Sequence, residues 1–431
     1  MRINKVALAV TALLAASQVN AAGFQVSEHS ASGLGRAFAG EAAIGDDAAS
    51  LARNPALMAT FDKAQLSVAA SYVSPDVDIE GQSNLGPLPK EYFDAEDIAP
   101  SQIVPAMYYI QPINDKFAAG LAIYSNYGTG TEYSNDYMAG PSAGKTSIMS
   151  VNFNPNISYR VNEQLSLGAG VSVVYATAEL ERNIGALGVI NGLKPSVNAA
   201  KMEGDGYGFG WNLGALYEVN ENNRFGISYK SKVKTELKGE YTGTASSGNA
   251  HLMGVTRPVD GTLDINLPSI LEVSGYHKLT DKFAVSYSWQ YSTWSDFGDI
   301  IAESAGCDST ASGGSKGVCL EKKEDYKDSS RYAIGGEYYL SEAVTLRAGY
   351  AFDEQAGEAT LSIPDTDRQW YTAGLTYKAT KALSFDLAAA LVAGKKITFD
   401  ERLAEADPAS TITLTSSGDA WIYSAQMNYS F

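Results

Sequence analysis

Apolar residues recur at every second position over most of this chain. At the C-terminus Trp421, Tyr423, Ala425, Met427, Tyr429 and Phe431 share one side of an extended strand, and Ser424, Gln426, Asn428 and Ser430 share the other. The same period runs through Phe283, Val285, Tyr287, Trp289 and Tyr291, through Val344, Leu346, Ala348, Tyr350 and Phe352, and through Tyr207, Phe209, Trp211, Leu213, Ala215 and Tyr217. Successive side chains of a strand point to opposite faces, so this period predicts half-apolar β-strands and excludes amphipathic helices.

The connections constrain the architecture further. Tight polar turns, such as "INDK" from Ile113, "VNEQ" from Val161, "LTDK" from Leu279 and "LSEA" from Leu340, alternate with longer stretches rich in Gly, Ser and Asp. The long stretches fall near residues 74–100, 134–145, 182–205, 240–261, 298–325, 354–365 and 400–418. Such alternation predicts an all-β chain, a transmembrane antiparallel barrel of about 14 strands with short turns at one rim and long loops at the other. A soluble β-sandwich hides its apolar faces between two sheets and has no reason to alternate its loop lengths. The mean hydropathy of −0.14 agrees with a barrel, because half of each strand faces a polar lumen.

The first 21 residues place the chain outside the cytoplasm. Arg2 and Lys5 form a basic head, Val6 to Ala16 an apolar stretch too short to span a bilayer, and Val19-Asn20-Ala21 a small-residue site for cleavage before Ala22. We therefore divide the chain into a signal peptide (1–21), an N-terminal segment (22–62) and a barrel (63–431). The N-terminal segment carries capping residues at Asp46, Asp47 and Asn54, with Pro55 at the first helical position. Its apolar residues Phe24, Leu34, Phe38, Ile44, Leu51, Leu57 and Met58 predict a compact plug, a small helical hatch, since a barrel of this size leaves an open lumen unless something fills it.

Other features narrow the function. The net charge of −17 argues against a nucleic-acid partner. The chain lacks a Walker A motif, a dinucleotide fingerprint and a G-x-S-x-G elbow, and its His29, His251 and His277 are dispersed. No enzyme, cofactor or metal site is expected. Cys307 and Cys319 flank "DSTASGGSKGV", and in an oxidising compartment they are expected to form a local disulfide that stiffens an external loop.

The stretch from Ala22 to Met58, "AGFQVSEHSASGLGRAFAGEAAIGDDAASLARNPALM", closely resembles the N-terminal hatch of the FadL long-chain fatty acid transporters, including their Asn-Pro-Ala motif at Asn54, Pro55 and Ala56. "SNYGTGTEY", "NLPSILEVSGY", "WSDF" and "SIPDTDRQWYTAGLTY" extend the resemblance along the whole mature chain in the same order. It implies a plugged outer-membrane barrel of a Gram-negative bacterium, carrying long-chain fatty acids from an external groove to an internal pocket and out sideways through the wall. Arg182 and Lys322 match the basic residues near the ligand carboxylate. Ser125, Asn126, Tyr127 and Gly128 match the inward kink of the third strand. Arg can grip a carboxylate through two parallel N–H bonds, and Lys offers a point charge. Some relatives carry aromatic hydrocarbons or other hydrophobic compounds, which is the alternative ligand class. The expected surroundings are outer-membrane lipid and lipopolysaccharide, with the barrel assembly machinery acting during biogenesis and a monomer sufficing for transport.

Overall fold

The computed structural model describes residues 23–243, 258–308, 315–404 and 407–431. The signal peptide, Ala22 and the centre of the 240–261 stretch lie outside the described residues.

Fourteen antiparallel strands close into one barrel. They are β1 (Gln65–Gly81), β2 (Gln102–Pro112), β3 (Phe117–Tyr124 and Gly128–Glu132), β4 (Lys145–Arg160), β5 (Leu165–Asn183), β6 (Asn198–Asn220) and β7 (Asn223–Lys230 and Val233–Gly243). There follow β8 (Val259–Leu267 and Ile270–Thr280), β9 (Phe283–Ser292 and Ile300–Asp308), β10 (Lys316–Lys322 and Ser329–Tyr339), β11 (Val344–Asp353), β12 (Arg368–Lys378), β13 (Leu383–Gly394 and Ile397–Arg402) and β14 (Thr411–Ser430). Each strand pairs with the next, and β14 returns to β1 with Gln65 opposite Ser430 and Gly81 opposite Leu414. Closure leaves no edge strand, which is what allows a sheet to sit in lipid.

The apolar alternation points outward. On β14 Trp421 and Tyr423 are 48% and 52% exposed, whereas Ile422 and Gln426 are 1% and 3% exposed. Phe283, Tyr287 and Trp289 likewise face out while Ser286 and Gln290 face in. An aromatic outer face with a polar inner face is the inverse of a soluble protein and suits a lipid-embedded wall.

The strands run further than composition suggests at the long-loop rim. The stretch 298–325 reads as a loop, but Ile300–Asp308 and Lys316–Lys322 pair as a strand hairpin. The stretch 182–205 shrinks to a short connection between β5 and β6 that carries the helix Gly185–Ile190. Above the membrane the outer face needs no apolar residues, so these extensions lose the alternation by which strands are recognised. Cys307 and Cys319 join the 298–325 hairpin as a disulfide, Cα to Cα 5.1 Å.

Residues 23–62 run through the lumen. Ala31 N donates to Gln426 Oε1 on β14 at 2.9 Å, Gly40 N to Ser288 Oγ on β9 at 2.8 Å and Ala48 N to Ser67 Oγ on β1 at 3.1 Å. Arg36 reaches Glu337 on β10 at 2.8 Å and also pairs with Glu41 and Asp46, both at 2.7 Å. Arg347 on β11 meets the same Glu337 at 2.8 Å. The inner wall thus supplies the hydrogen-bonding groups that buried backbone and charge require.

Candidate functional site

The helical turn at the Asn-Pro-Ala motif is a 3-10 helix, Pro55–Thr60, capped as its sequence predicts. Asn54 Oδ1 accepts from Ala56 N at 2.9 Å, while Asn54 Nδ2 donates to Ala42 O at 2.7 Å and to Ala215 O on β6 at 3.0 Å. The motif lies directly on the wall. A Cβ at Gly214 would collide with Asn54 Oδ1, and one at Gly168 would collide with the Pro55–Ala56 backbone. Only glycine permits this approach.

The third strand breaks at Ser125–Tyr127. Its first segment pairs with β2 on one side and β4 on the other, but the β2 ladder is confined to Met107–Pro112 opposite Ala118–Ile123. The second segment pairs with β4 from Gly128 opposite Met149 to Glu132 opposite Lys145. Across the break the N-terminal segment takes over the pairing: Val26 N donates to Asn126 O at 2.7 Å and Gly128 N to Phe24 O at 2.9 Å. The inward turn is held by Tyr127 OH, which donates to Pro268 O at 2.7 Å, and by Ser125 Oγ, which donates to Ser150 O at 2.6 Å. Lys230 Nζ donates to Asn126 Oδ1 at 3.4 Å.

Arg182 and Lys322 come together inside the barrel. Arg182 Nη2 donates to Ser362 Oγ at 2.9 Å and Lys322 Nζ to the same oxygen at 2.8 Å. Arg182 is oriented by Lys145 O, Glu181 O and Thr146 Oγ1 at 2.9, 2.8 and 3.0 Å, and no carboxylate forms an ion pair with it among the described residues. Among the described residues Lys322 makes one ion pair, with Glu401 Oε1 at 3.9 Å, and the other Glu401 oxygen accepts from Leu361 N at 2.9 Å. Beside them lies Glu324, 1% exposed, with neither carboxylate oxygen hydrogen-bonded among the described residues. Burial pushes its carboxyl up to about 7 despite the opposing pull of Lys322.

Below the cations the inner wall is apolar. Val174, Ala176, Ala178 and Leu180 share the inward face of β5 with Arg182, following the strand period. They belong to one buried cluster that includes Ile148, Leu237, Leu263, Ile265, Phe24 and Tyr127, so apolar lining continues from the cation pair to the break in β3. Phe24 sits at its far end, with its ring centroid 4.7 Å from that of Trp294 and 4.9 Å from that of Phe297. Gly23 N donates to Asp365 Oδ2 at 3.1 Å. A second groove, at the outer ends of β7 to β10, is lined by Lys238, Glu240, Asp260, Glu303 and Lys316 together with small residues.

Ser362, Glu324 and Glu401 carry no sequence signal of their own, because each reaches the site only through barrel closure. Ser362 does stand in "SIPDTDR", whose likeness to the FadL family marks the stretch without marking the role.

A closed barrel with an aromatic outer face, a filled lumen and a buried cation pair over an apolar lining defines an outer-membrane conduit for amphipathic molecules. The chain belongs to the family described as "Outer membrane protein transport protein (OMPP1/FadL/TodX)", which it matches over residues 12–431. It is 39% identical to the long-chain fatty acid transport protein of Escherichia coli O6:H1, over 99% of this chain and 98% of that protein. Its fold is that of a Pseudomonas aeruginosa FadL homologue, with a TM-score of 0.82 at 21% identity over 95% of this chain and 100% of the other. It is also that of the Pseudomonas putida toluene transporter TodX, with a TM-score of 0.69 at 18% identity over 97% and 99%. The protein is an outer-membrane protein.

Proposed function

We propose that this protein carries long-chain fatty acids across the outer membrane by passive diffusion, with Arg182 and Lys322 binding the carboxylate and the apolar lining below them holding the tail. The observation that carries the reading is the convergence of both cations on Ser362 Oγ at the head of an apolar wall. A carboxylate oxygen in place of that hydroxyl would accept from both. Each buried methylene contributes roughly 0.8 kcal/mol, so the tail supplies most of the affinity and the cations select the head group. A neutral aromatic hydrocarbon accepts no hydrogen bond at full strength and offers the two cations only a weaker cation–π contact, which weighs against that alternative.

Entry is from the long-loop rim, past the apolar loop residues Leu85, Phe93, Ile98, Tyr133, Tyr137 and Leu361. Residues 23–62 act as the hatch. The ligand leaves between β2 and the second segment of β3, where the ladder with β2 has ended, once Phe24 has moved aside. No reaction occurs along this path, and one barrel encloses it, so a monomer suffices.

The test is uptake of labelled oleate by cells lacking the protein, complemented with wild type or Arg182→Ala at equal outer-membrane levels. Restored uptake by wild type and weak uptake by the variant are expected. Failure of folded wild type to restore uptake would overturn the ligand assignment.

A further inference from the structure

Where β3 breaks, the lining of the barrel changes on several strands at once. The last apolar residue facing inward is Val174 on β5, Val233 on β7 and Ile270 on β8, and the next inward residue on each is Ser172, Lys230 and Glu272. Tyr127 fixes this level, because it lies in the break and its hydroxyl donates to Pro268 O, just before Ile270, at 2.7 Å. The charges here do not balance. Arg53 of the N-terminal segment donates to Glu272 Oε2 at 3.4 Å, and Ser274 Oγ donates to the other oxygen of that carboxylate at 3.0 Å. Glu272 is thus committed to Arg53, and Lys230 forms no ion pair among the described residues. The Lys230 ammonium, half-buried, has Asn126 Oδ1 at 3.4 Å and the ring of Tyr124 at 5.1 Å. It has three N–H groups to donate, and a cation held away from water without a counterion is costly.

We propose that Lys230 is a second head-group site, at the break in β3, which takes the carboxylate of an anionic amphiphile after it has left Arg182 and Lys322 and while the tail lies in the gap of the wall. The inference rests on the reading of the barrel as a conduit for such molecules. A tail that follows the apolar lining from Arg182 meets polar side chains below Val174, Val233 and Ile270, and burying them against hydrocarbon without hydrogen bonds is unfavourable. The tail therefore turns aside at this level, next to Asn126. The head group has to follow it through the apolar stretch, where a bare carboxylate is unstable. Lys230 stands at the end of that stretch with donors to spare, so the carboxylate passes from one cation site to the next. No covalent bond changes.

The test compares uptake of labelled oleate by cells carrying wild type, Lys230→Met, Lys230→Arg or Arg182→Ala at equal levels of folded barrel. Lys230→Met is expected to lower uptake about tenfold, the scale of one hydrogen bond to a charged group, and Lys230→Arg to restore most of it. Equilibrium binding of oleate to purified Lys230→Met is expected to stay within about twofold of wild type, because the distant Arg182 and Lys322 keep their partners. Should Lys230→Met fail to fold, covalent capture in wild type decides alone. The N-hydroxysuccinimide ester of oleic acid acylates lysine: its acyl carbon bonds to Nζ, and N-hydroxysuccinimide leaves with the proton. Peptide mapping is expected to find Lys230 acylated, and excess oleate to suppress that label. Label on Lys322 without label on Lys230 would overturn the proposal. So would a loss of uptake that Lys230→Arg does not restore, or a matching loss of binding. Uptake lowered by Arg182→Ala but unchanged by Lys230→Met would overturn the second site and leave the first standing. Folded wild type that restores no uptake would overturn both.

Discussion

Arg182 on β5 and Lys322 on β10 donate to one atom, Ser362 Oγ, at 2.9 and 2.8 Å. The guanidinium is the better oriented of the two. Its Nη1 is pinned by the carbonyls of Lys145 and Glu181, which leaves Nη2 for Thr146 Oγ1 and Ser362 Oγ. A lysine at 182 has one nitrogen and cannot satisfy both sets. Arg182→Lys is therefore expected to weaken oleate binding about tenfold or more, within the ~1.5–3 kcal/mol range of hydrogen bonds to charged groups. Binding of oleyl alcohol is expected to change far less. Equal losses for acid and alcohol in a direct binding assay would mean that the substitution acts on packing instead.

The seat of the Asn-Pro-Ala motif gives a second test. Gly214 and Gly168 allow Asn54 and Pro55 to touch the wall, and a methyl group at either strikes atoms that cap the 3-10 turn. Gly214→Ala is expected to cost about 1–3 kcal/mol locally, the usual penalty of overpacking. The barrel retains its ladders, so its heat-induced shift on gels is expected to persist while amide exchange over residues 42–60 accelerates. Unchanged exchange there would show that the segment adjusts without loosening.

Much of this architecture was legible because lipid imposes a rule on every strand. The outward face of β14 or β9 must be apolar over the membrane, and that requirement writes the period of two into the sequence. Asn54 and Pro55 were legible for a local reason, since capping involves only neighbours along the chain. The rim extensions were not, because Ile300–Asp308 and Lys316–Lys322 face no lipid and their Gly, Ser and Asp content reads as loop. Nor was the meeting of Ser362 with Arg182 and Lys322, nor the place of Phe24 among Trp294, Phe297 and Tyr326. Those contacts depend on the curvature and register of the whole barrel, which no short window of sequence contains.

Two acids of the N-terminal segment predict how it responds to pH. Burial pushes Glu28 up to about 7, and it pushes Asp47 up to about 8, where the nearby Asp46 and Asp386 add to the effect. Both lie above the ordinary range of an unfolded carboxylate. The folded segment thus holds protons that the unfolded one releases, and its stability falls as pH rises from about 5 toward 8. Protease protection of residues 23–62 in the intact protein is expected to decline over that range, with the barrel unaffected. Glu28→Gln is expected to flatten part of the decline. Protection that rises with pH would contradict the assignment of these groups as neutral acids.

The break in β3 predicts where passage can be stopped. At Gly128 the chain passes from pairing with Phe24 of the N-terminal segment to pairing with Met149 of β4, and the β2 ladder has already ended at Met107 opposite Ile123. Gly128 is buried and borders the stretch where the β2 ladder has ended, so a long charged side chain there crowds that stretch. Gly128→Arg is expected to lower oleate uptake by cells at least about tenfold, since a desolvated charge beside an apolar path is costly. Equilibrium binding to the purified protein is expected to persist, because Arg182, Lys322 and Ser362 keep their partners. The split between the two measurements is what identifies an exit. Loss of both would point to a distorted barrel, which the gel shift would reveal, and uptake at the wild-type rate would place the exit elsewhere in the wall.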